Sequence, residues 1–147
     1  MKYSLLLGVI LIMSLLLSGC GNQVTGNAIV NSEDEFVKIP ISEITSTMKR
    51  YSHDSNGITV NYFAVKGSDD EIRTAFDACD VCGGHQGYRQ QGQDVVCNKC
   101  GRFFNIDDLG TKNTSGGCWP SYLDHTIEGD NILIKKSELD TGAFRFR

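Results

Sequence analysis

The apolar positions of the chain fall into one long run at its start and several short alternating stretches after residue 36. Residues 4–18 are almost wholly apolar and follow one basic residue, Lys2. The run is shorter than the roughly 20 apolar residues that a transmembrane helix needs. A basic start, a short apolar run and an exit of small residues are typical of a signal peptide. We therefore expect residues 1–20 to direct export of the chain.

The exit of this segment, residues 17–20, reads Leu-Ser-Gly-Cys and resembles the lipobox of prokaryotic lipoproteins. In that motif the cysteine is lipidated and becomes the first residue of the mature chain, which places the lipid on Cys20. Two or three acyl chains would anchor the protein firmly, because one chain alone binds a bilayer only marginally. We expect a protein anchored by lipid in the cell membrane, on its extracytoplasmic face. A plain signal peptide or an uncleaved anchor is the alternative.

The next segment, residues 21–35, is polar, with scattered glycine and asparagine and an acidic end. This composition predicts a flexible tether, which spans roughly 20 Å on average by random-coil scaling. The folded domain is then expected over residues 36–147.

Within that domain the period of two that marks β-strands dominates. Stretches with this pattern lie at residues 37–41, 58–65, 72–76, 126–128 and 131–134. Residues 43–48, which follow a possible capping residue at Ser42, predict a short helix. The prediction is a β-rich α+β domain, in which strands before Cys79 and after Cys118 form the main sheet.

The composition fits a globular protein and argues against a nucleic-acid binder. Apolar residues make up 40% of the chain and charged residues 22%, which is ordinary for a folded domain. The formal charge of −4 at pH 7 is opposite to the basic balance of proteins that bind nucleic acid. No G-x-S-x-G, P-loop or H-E-x-x-H motif occurs, and we expect a protein that is not a stand-alone enzyme.

Five cysteines follow the lipobox, and four of them form two C-x-x-C-G units. Cys79 and Cys82 make the first unit, and Cys97 and Cys100 make the second. Two residues between thiolates let the backbone wrap around one ion, and two such units at this separation are a strong metal-site signal. Four thiolates form a soft tetrahedral site that suits zinc, iron or an iron–sulfur cluster.

Other residues near the two units are candidates to support the site. Gly83 and Gly101 follow the units and permit the positive φ that such a turn needs, and His85 is close enough in sequence to reach it. Cys118 lies between two glycines and Trp119, where the backbone can approach a metal closely. A closed structural zinc site needs only four ligands, so Cys118 is a further ligand, a redox thiol or a small buried residue.

The segment between the units, residues 87–96, has the length of a hairpin. Such a hairpin would bring the second unit back beside the first, as in a zinc ribbon or rubredoxin, on a small sheet. The alternative is disulfide bonding, which exported proteins favour. Five thiols would leave one unpaired, and disulfides within C-x-x-C are usually redox-active.

A longer pattern resembles a known family. It consists of Y-F-A-V-K at 62–66, A-F-D-A-C-D-V-C at 75–82, G-Y-R-Q at 87–90, C-N-K-C-G at 97–101 and G-G-C at 116–118. Over residues 36–146 the chain resembles the FtrD-like membrane iron–sulfur protein domain. The resemblance implies an iron–sulfur cluster or iron at Cys79, Cys82, Cys97 and Cys100, and it includes Cys118 in the motif set. It also implies a link to high-affinity iron transport beside a ferric permease of the Ftr type.

Three functions fit the sequence. The first is an electron-transfer or metal-handling protein that serves an iron permease or a redox partner at the membrane. The second is a zinc-ribbon binding module with a structural zinc, and the third is a thiol–disulfide oxidoreductase. The first predicts a coloured, reducible protein, the second a colourless zinc protein, and the third reductase activity without metal.

Overall fold

The computed structural model describes residues 35–82 and 85–147 of the chain. The expected signal peptide, its lipidated Cys20, nearly all of the expected tether and Gly83 lie outside the described residues. Within the described part, no helix is long and apolar enough to cross a membrane.

Short antiparallel strands in three small sheets are the main secondary structure of the described residues, so the prediction of a β-rich fold is confirmed. In chain order the strands are β1 (Phe36–Pro40), β2 (Lys49–Ser55), β3 (Ile58–Lys66), β4 (Ile72–Cys79), β5 (Tyr88–Gln91), β6 (Asp94–Cys97), β7 (Phe103–Asn105), β8 (Pro120–Tyr122), β9 (Thr126–Glu128) and β10 (Asn131–Lys135). Near the C-terminus follow a short helix, α1 (Lys136–Gly142), and a 3-10 turn (Ala143–Phe146). The strand orders of the sheets are β2-β3-β4-β8, β1-β10-β9 and β5-β6-β7.

Two clusters of buried side chains form the core, one on each face of the β2-β3-β4-β8 sheet. The first cluster also draws on β1, β10 and α1, and it consists of Ile39, Ile44, Val60, Tyr62, Ala64, Phe76, Ala78, Leu123, Ile132, Ile134, Leu139, Ala143 and Phe146. The second cluster also draws on the β5-β6-β7 sheet, and it consists of Met48, Phe63, Val65, Ala75, Cys79, Tyr88, Val95, Cys97, Phe104, Ile106 and Leu109. The buried cysteines therefore belong to the second cluster.

Strand β3 lies between the two clusters, and both of its faces are covered. Val60, Tyr62 and Ala64 belong to the first cluster, whereas Phe63 and Val65 belong to the second. This alternation follows from the pleat, which sends successive side chains to opposite faces. A strand buried on both faces has an almost continuous apolar sequence, which is why β3 has the clearest strand signal in the chain.

The short helix predicted over residues 43–48 is wrong. Only a 3-10 turn over Ile41–Glu43 forms, and the next residue, Ile44, is extended and buried in the first cluster. The carbonyl of Thr45 accepts a hydrogen bond of 2.9 Å from the N–H of Lys66, which ties the segment to the end of β3. A segment this short, rich in β-branched residues, does not nucleate a helix unless packing favours one.

The predicted hairpins are present. β3 pairs with β4, β9 pairs with β10, and β5 pairs with β6 in the segment between the two cysteine units. β8 pairs with β4, which joins the strands before Cys79 and after Cys118 in one sheet as expected. The β9–β10 hairpin instead pairs with β1 in a separate sheet. Strand β7, which follows the second unit, pairs with β6 and adds a third strand to the β5–β6 hairpin.

Candidate metal centre

Segments that are far apart in sequence meet at one edge of the second cluster. β4 ends at Cys79 and leads into the first cysteine unit, and β6 leads into the second. In the β4–β8 pair Cys79 lies opposite Pro120, and the N–H of Asp80 donates to the carbonyl of Trp119 at 3.3 Å. This register carries Cys118, the residue before Trp119, to the two units.

The second unit forms a tight turn. The N–H of Cys97 donates to the carbonyl of Arg102, and the N–H of Gly101 donates to the carbonyl of Cys97, both at 2.9 Å. Gly101 has a φ of 73°, the left-handed conformation that glycine adopts without strain. The ammonium of Lys99 donates to the carbonyl of Cys82 in the first unit. These contacts hold the two units side by side.

The sulfur atoms converge on Cys118. Its Sγ lies 3.2 Å from that of Cys79, 3.5 Å from that of Cys82 and 3.4 Å from that of Cys100. The sulfurs of Cys82, Cys97, Cys100 and Cys118 lie within 4.8 Å of one another. Cys79 and Cys97 are buried, whereas Cys100 is exposed. The centre therefore sits at the surface with one side open to solvent.

The spacing of these four sulfurs fits one tetrahedral ion. At a metal–sulfur distance of about 2.3 Å, neighbouring sulfurs of a tetrahedral thiolate site are about 3.8 Å apart. This distance is below 4.8 Å, the upper limit of the distances between these four sulfurs. The donor set also has the chemistry of an iron–sulfur site. A cluster would distribute the four thiolates over two or more irons, so it would need a wider arrangement of these sulfurs than one ion does.

The thiols change one another's pKa. Burial alone would raise the pKa of Cys79, but backbone N–H groups of the first unit and the neighbouring thiols bring it down to about 6. The backbone N–H of Arg102 is the main cause that lowers the pKa of Cys100 to about 7. The hydrogen bond with Cys79 and then burial raise the pKa of Cys82 to about 12, and burial raises that of Cys118. Adjacent thiolates repel one another, so a bound cation is what lets all of them ionise together.

A buried hydroxyl group lies beside the sulfurs. The side chain of Tyr88 is fully buried, and its hydroxyl has no hydrogen-bond partner among the described residues. Tyr88 lies opposite Cys97 in the β5–β6 pair, and burial together with the thiol of Cys79 raises its pKa. A buried donor without a partner costs free energy, and donors that face ligand atoms tune a metal centre. The orphaned hydroxyl thus fits a site whose sulfurs become thiolates on metal binding.

The other supporting residues predicted from the sequence occupy different surroundings. Trp119 is partly buried against the second cluster, and its indole N–H donates to the carbonyl of Thr111 at 3.2 Å. His85 is exposed and has its ring 5.9 Å from that of Phe146, a residue of the first cluster. Sequence reasoning assigned no role to Tyr88, and only the strand register with Cys97 could have shown one.

Comparisons with known proteins identify a family and also find partial likeness to solved structures. The family model described as membrane iron-sulfur containing protein FtrD-like matches residues 44–146. No curated protein matches the chain significantly. Among solved structures, the quaternary ammonium Rieske monooxygenase CntA in complex with an inhibitor aligns with a TM-score of 0.49 and 16% identity, over 71% of this chain and 32% of that one. The chain spans about a third of the length of that protein, and so weak a likeness supports no functional conclusion.

The family match agrees with the geometry of the cysteines. The matched residues include both C-x-x-C-G units and Cys118, and they extend over more than half of the chain. The chain belongs to the FtrD-like family of membrane iron–sulfur containing proteins.

Proposed function

We propose that this protein is a lipid-anchored, extracytoplasmic carrier that holds iron or an iron–sulfur cluster and passes electrons or iron to an iron-uptake system. One observation supports this most: four cysteine sulfurs lie within 4.8 Å of one another in a member of a family of iron–sulfur proteins. The partner is an iron permease or a redox protein at the same membrane. The anchor is the lipid on Cys20.

The ligands we propose are Cys82, Cys97, Cys100 and Cys118, the four sulfurs that are mutually close. The sequence favoured Cys79 in place of Cys118. Cys79 lies 3.2 Å from Cys118 and is a fifth thiol at the edge of this set. In this assignment residues 79–118 form a two-turn metal-binding insert, similar to a zinc ribbon or rubredoxin, which includes the β5-β6-β7 sheet.

The exposure of the site supports exchange with a partner. Cys100 is exposed, and so is Val81, whose side chain is 58% accessible within the first unit. A thiolate-bound iron centre supplies a reversible one-electron step when it is present. The residues of this chain would hold the centre at the surface and shield its inner side with the second cluster, and the buried hydroxyl of Tyr88 could donate to a metal-bound thiolate.

A zinc-ribbon binding module is the second candidate function. The spacing of the four sulfurs favours it as much as it favours iron, because zinc and iron take the same tetrahedral thiolate shell. In that case the metal would only stabilise the β5-β6-β7 sheet, and a partner would bind elsewhere on the domain. The third candidate, a thiol–disulfide oxidoreductase, would use the close thiols of Cys79 and Cys118 without any metal.

The deciding experiment measures metal, acid-labile sulfide and visible absorption of the full chain, purified in detergent without oxygen. Iron with sulfide, or iron alone, together with absorption that bleaches on reduction by dithionite, would support the proposal. One zinc per chain with no visible band would instead support the binding module. A metal-free protein that reduces disulfides would support the oxidoreductase.

The anchor is tested separately from the metal. Replacing Cys20 with serine should abolish labelling by a radioactive fatty acid and move the protein out of the membrane fraction. Unchanged labelling of the Cys20→Ser variant would contradict the proposed anchor. It would leave the assignment of the metal centre intact.

A further inference from the structure

A small cleft opens beside the cysteines on the side of residues 111–116. It has a volume of about 190 Å³. Its lining includes Arg102, Lys112, the polar residues 113–115, Cys118 and Trp119. The cleft therefore borders Cys118, one of the proposed ligands.

No carboxylate among the described residues neutralises the cationic side chains of this cleft. Its lining contains two cationic side chains and no carboxylate. Arg102 lies 5.6 Å from the centroid of the Phe104 ring and Lys112 lies 5.9 Å from that of Tyr122, but neither has a carboxylate at ion-pair distance in the part of the chain that is described. The positive charge is therefore available to a ligand.

The neighbouring cleft shows the contrast. It is larger, about 330 Å³, and it also borders Lys112 and includes Arg145. Its lining contains the carboxylates of Asp80 and Glu138 as well, and Arg145 lies 3.6 Å from Asp80. Carboxylates balance the cations of this larger cleft. We therefore expect it to bind anions less well than the cleft at Cys118.

We propose that the cleft at Cys118 binds a small oxyanion, either a carboxylate or a phosphate. The guanidinium of Arg102 can bind two oxygen atoms of such a group at once, and Lys112 adds a second charge. The hydroxyls of Thr114 and Ser115 can donate to the remaining oxygens. A volume of about 190 Å³ is below the roughly 300 Å³ of the smallest typical sites for drug-sized ligands, which restricts the ligand to a small ion.

Binding of this anion does not depend on which metal the cysteines hold. The bound anion would nevertheless affect the metal centre. It would lie next to Cys118 and change the electrostatic surroundings of the centre. If the proposed iron function failed and zinc were found, the cleft would still bind its anion. The two proposals can therefore fail separately.

The test uses the fluorescence of Trp119, the only tryptophan of the chain and a residue of the cleft. The full chain in detergent is titrated with citrate and, separately, with inorganic phosphate at constant ionic strength. Glycerol serves as an uncharged control. A saturable change with half-saturation at or below about 1 mM for either anion supports the proposal, and the anion with the lower value identifies the chemical source. Calorimetric titration of the same protein provides a second readout.

Matched variants test the location. Arg102→Gln and Lys112→Gln should each raise the half-saturation concentration roughly tenfold, because a hydrogen bond to a charged group is lost. The contacts of Arg102 with Cys97 use its backbone, so they survive the substitution. Arg89→Gln is the control, since Arg89 is an exposed cation on β5 outside the cleft, and its titration curve should not change.

Two results would overturn the proposal. The first is the absence of saturable binding of either anion to the wild-type protein by fluorescence and by calorimetry. The second is an equal loss of affinity in Arg89→Gln, which would show general charge attraction rather than a site. If the cleft variants do not fold, the wild-type titrations still report binding at this place, because the fluorescent residue, Trp119, lines the cleft.

Discussion

Replacing Cys118 with serine should release the metal, whereas the same change at Cys79 should leave it bound. Cys118 belongs to the four sulfurs that lie within 4.8 Å of one another, and it also contacts Cys79 at 3.2 Å. Cys79 is close to Cys118 but is outside that set of four. The two variants remove the same atom from adjacent positions, so each is the matched control for the other.

The expected size of the effect follows from the number of ligands. A structural zinc site with four ligands contributes about 10–16 kcal/mol, which is about 2.5–4 kcal/mol for each ligand if they share it equally. Loss of Cys118 should then weaken metal binding by about 10²- to 10³-fold. Cys79 is 9% exposed in the second cluster, and its replacement should cost about 1 kcal/mol of folding free energy, as is usual for a point mutation, with little change in affinity.

Competition with a chromophoric chelator measures both variants. The full chain is loaded with metal without oxygen, and the chelator concentration that removes half of the metal is compared with that of the wild type. Circular dichroism of the loaded proteins controls for folding. The reverse outcome would refute the reasoning: Cys79→Ser would lose the metal, and Cys118→Ser would retain it. The ligand set would then be the one that the sequence favoured.

Three further predictions follow from the two-cluster core and from single groups in it. Removing the metal with a chelator should speed hydrogen exchange in β5, β6 and β7 and leave β1 and β10 protected, because the buried cysteines pack in the second cluster. A uniform loss of protection would contradict this prediction. Tyr88→Phe should shift the reduction potential or the visible band of the iron-loaded protein. The free energy of unfolding of the metal-free protein should change by no more than about 1 kcal/mol. An unshifted spectrum and potential would show that the hydroxyl does not face a bound sulfur. Burial lowers the pKa of His125 below 6.5, so its contribution to stability is present above pH 6.5 and is lost as pH falls through the lower folded-state pKa. His125→Gln should flatten this part of the thermal-stability profile, and an identical slope in both proteins would refute that role.

Local sequence patterns were sufficient to predict an element where its conformation depends mainly on its own residues. β3 was predicted because both of its faces are buried and its residues are almost all apolar. The β9–β10 hairpin was predicted because turn residues separate two alternating stretches, and the β5–β6 hairpin because the segment between the cysteine units has the length of one. The turn of the second cysteine unit was predicted because the spacing of Cys97, Cys100 and Gly101 allows few backbone paths around an ion.

The same patterns failed where a distant segment determines the conformation. Residues 43–48 look helical locally, yet Thr45 bonds to the end of β3 and Ile44 is buried in the first cluster. Strand β2 was missed because it is largely polar and exposed. A single hydrogen bond or buried side chain from elsewhere in the chain outweighs the weak propensity of so short a segment.

The sequence by itself determined that this is a β-rich domain with two cysteine units suited to a metal, and the family confirmed that assignment. Only the tertiary structure brought Cys118 to the centre of the sulfurs, because the β4–β8 register places it there. The same structure put the hydroxyl of Tyr88 beside the thiols and grouped Arg102 with Lys112 in one cleft. Spacing along the chain restricts neighbours a few residues apart, whereas contacts between remote residues depend on strand pairing that no local pattern encodes.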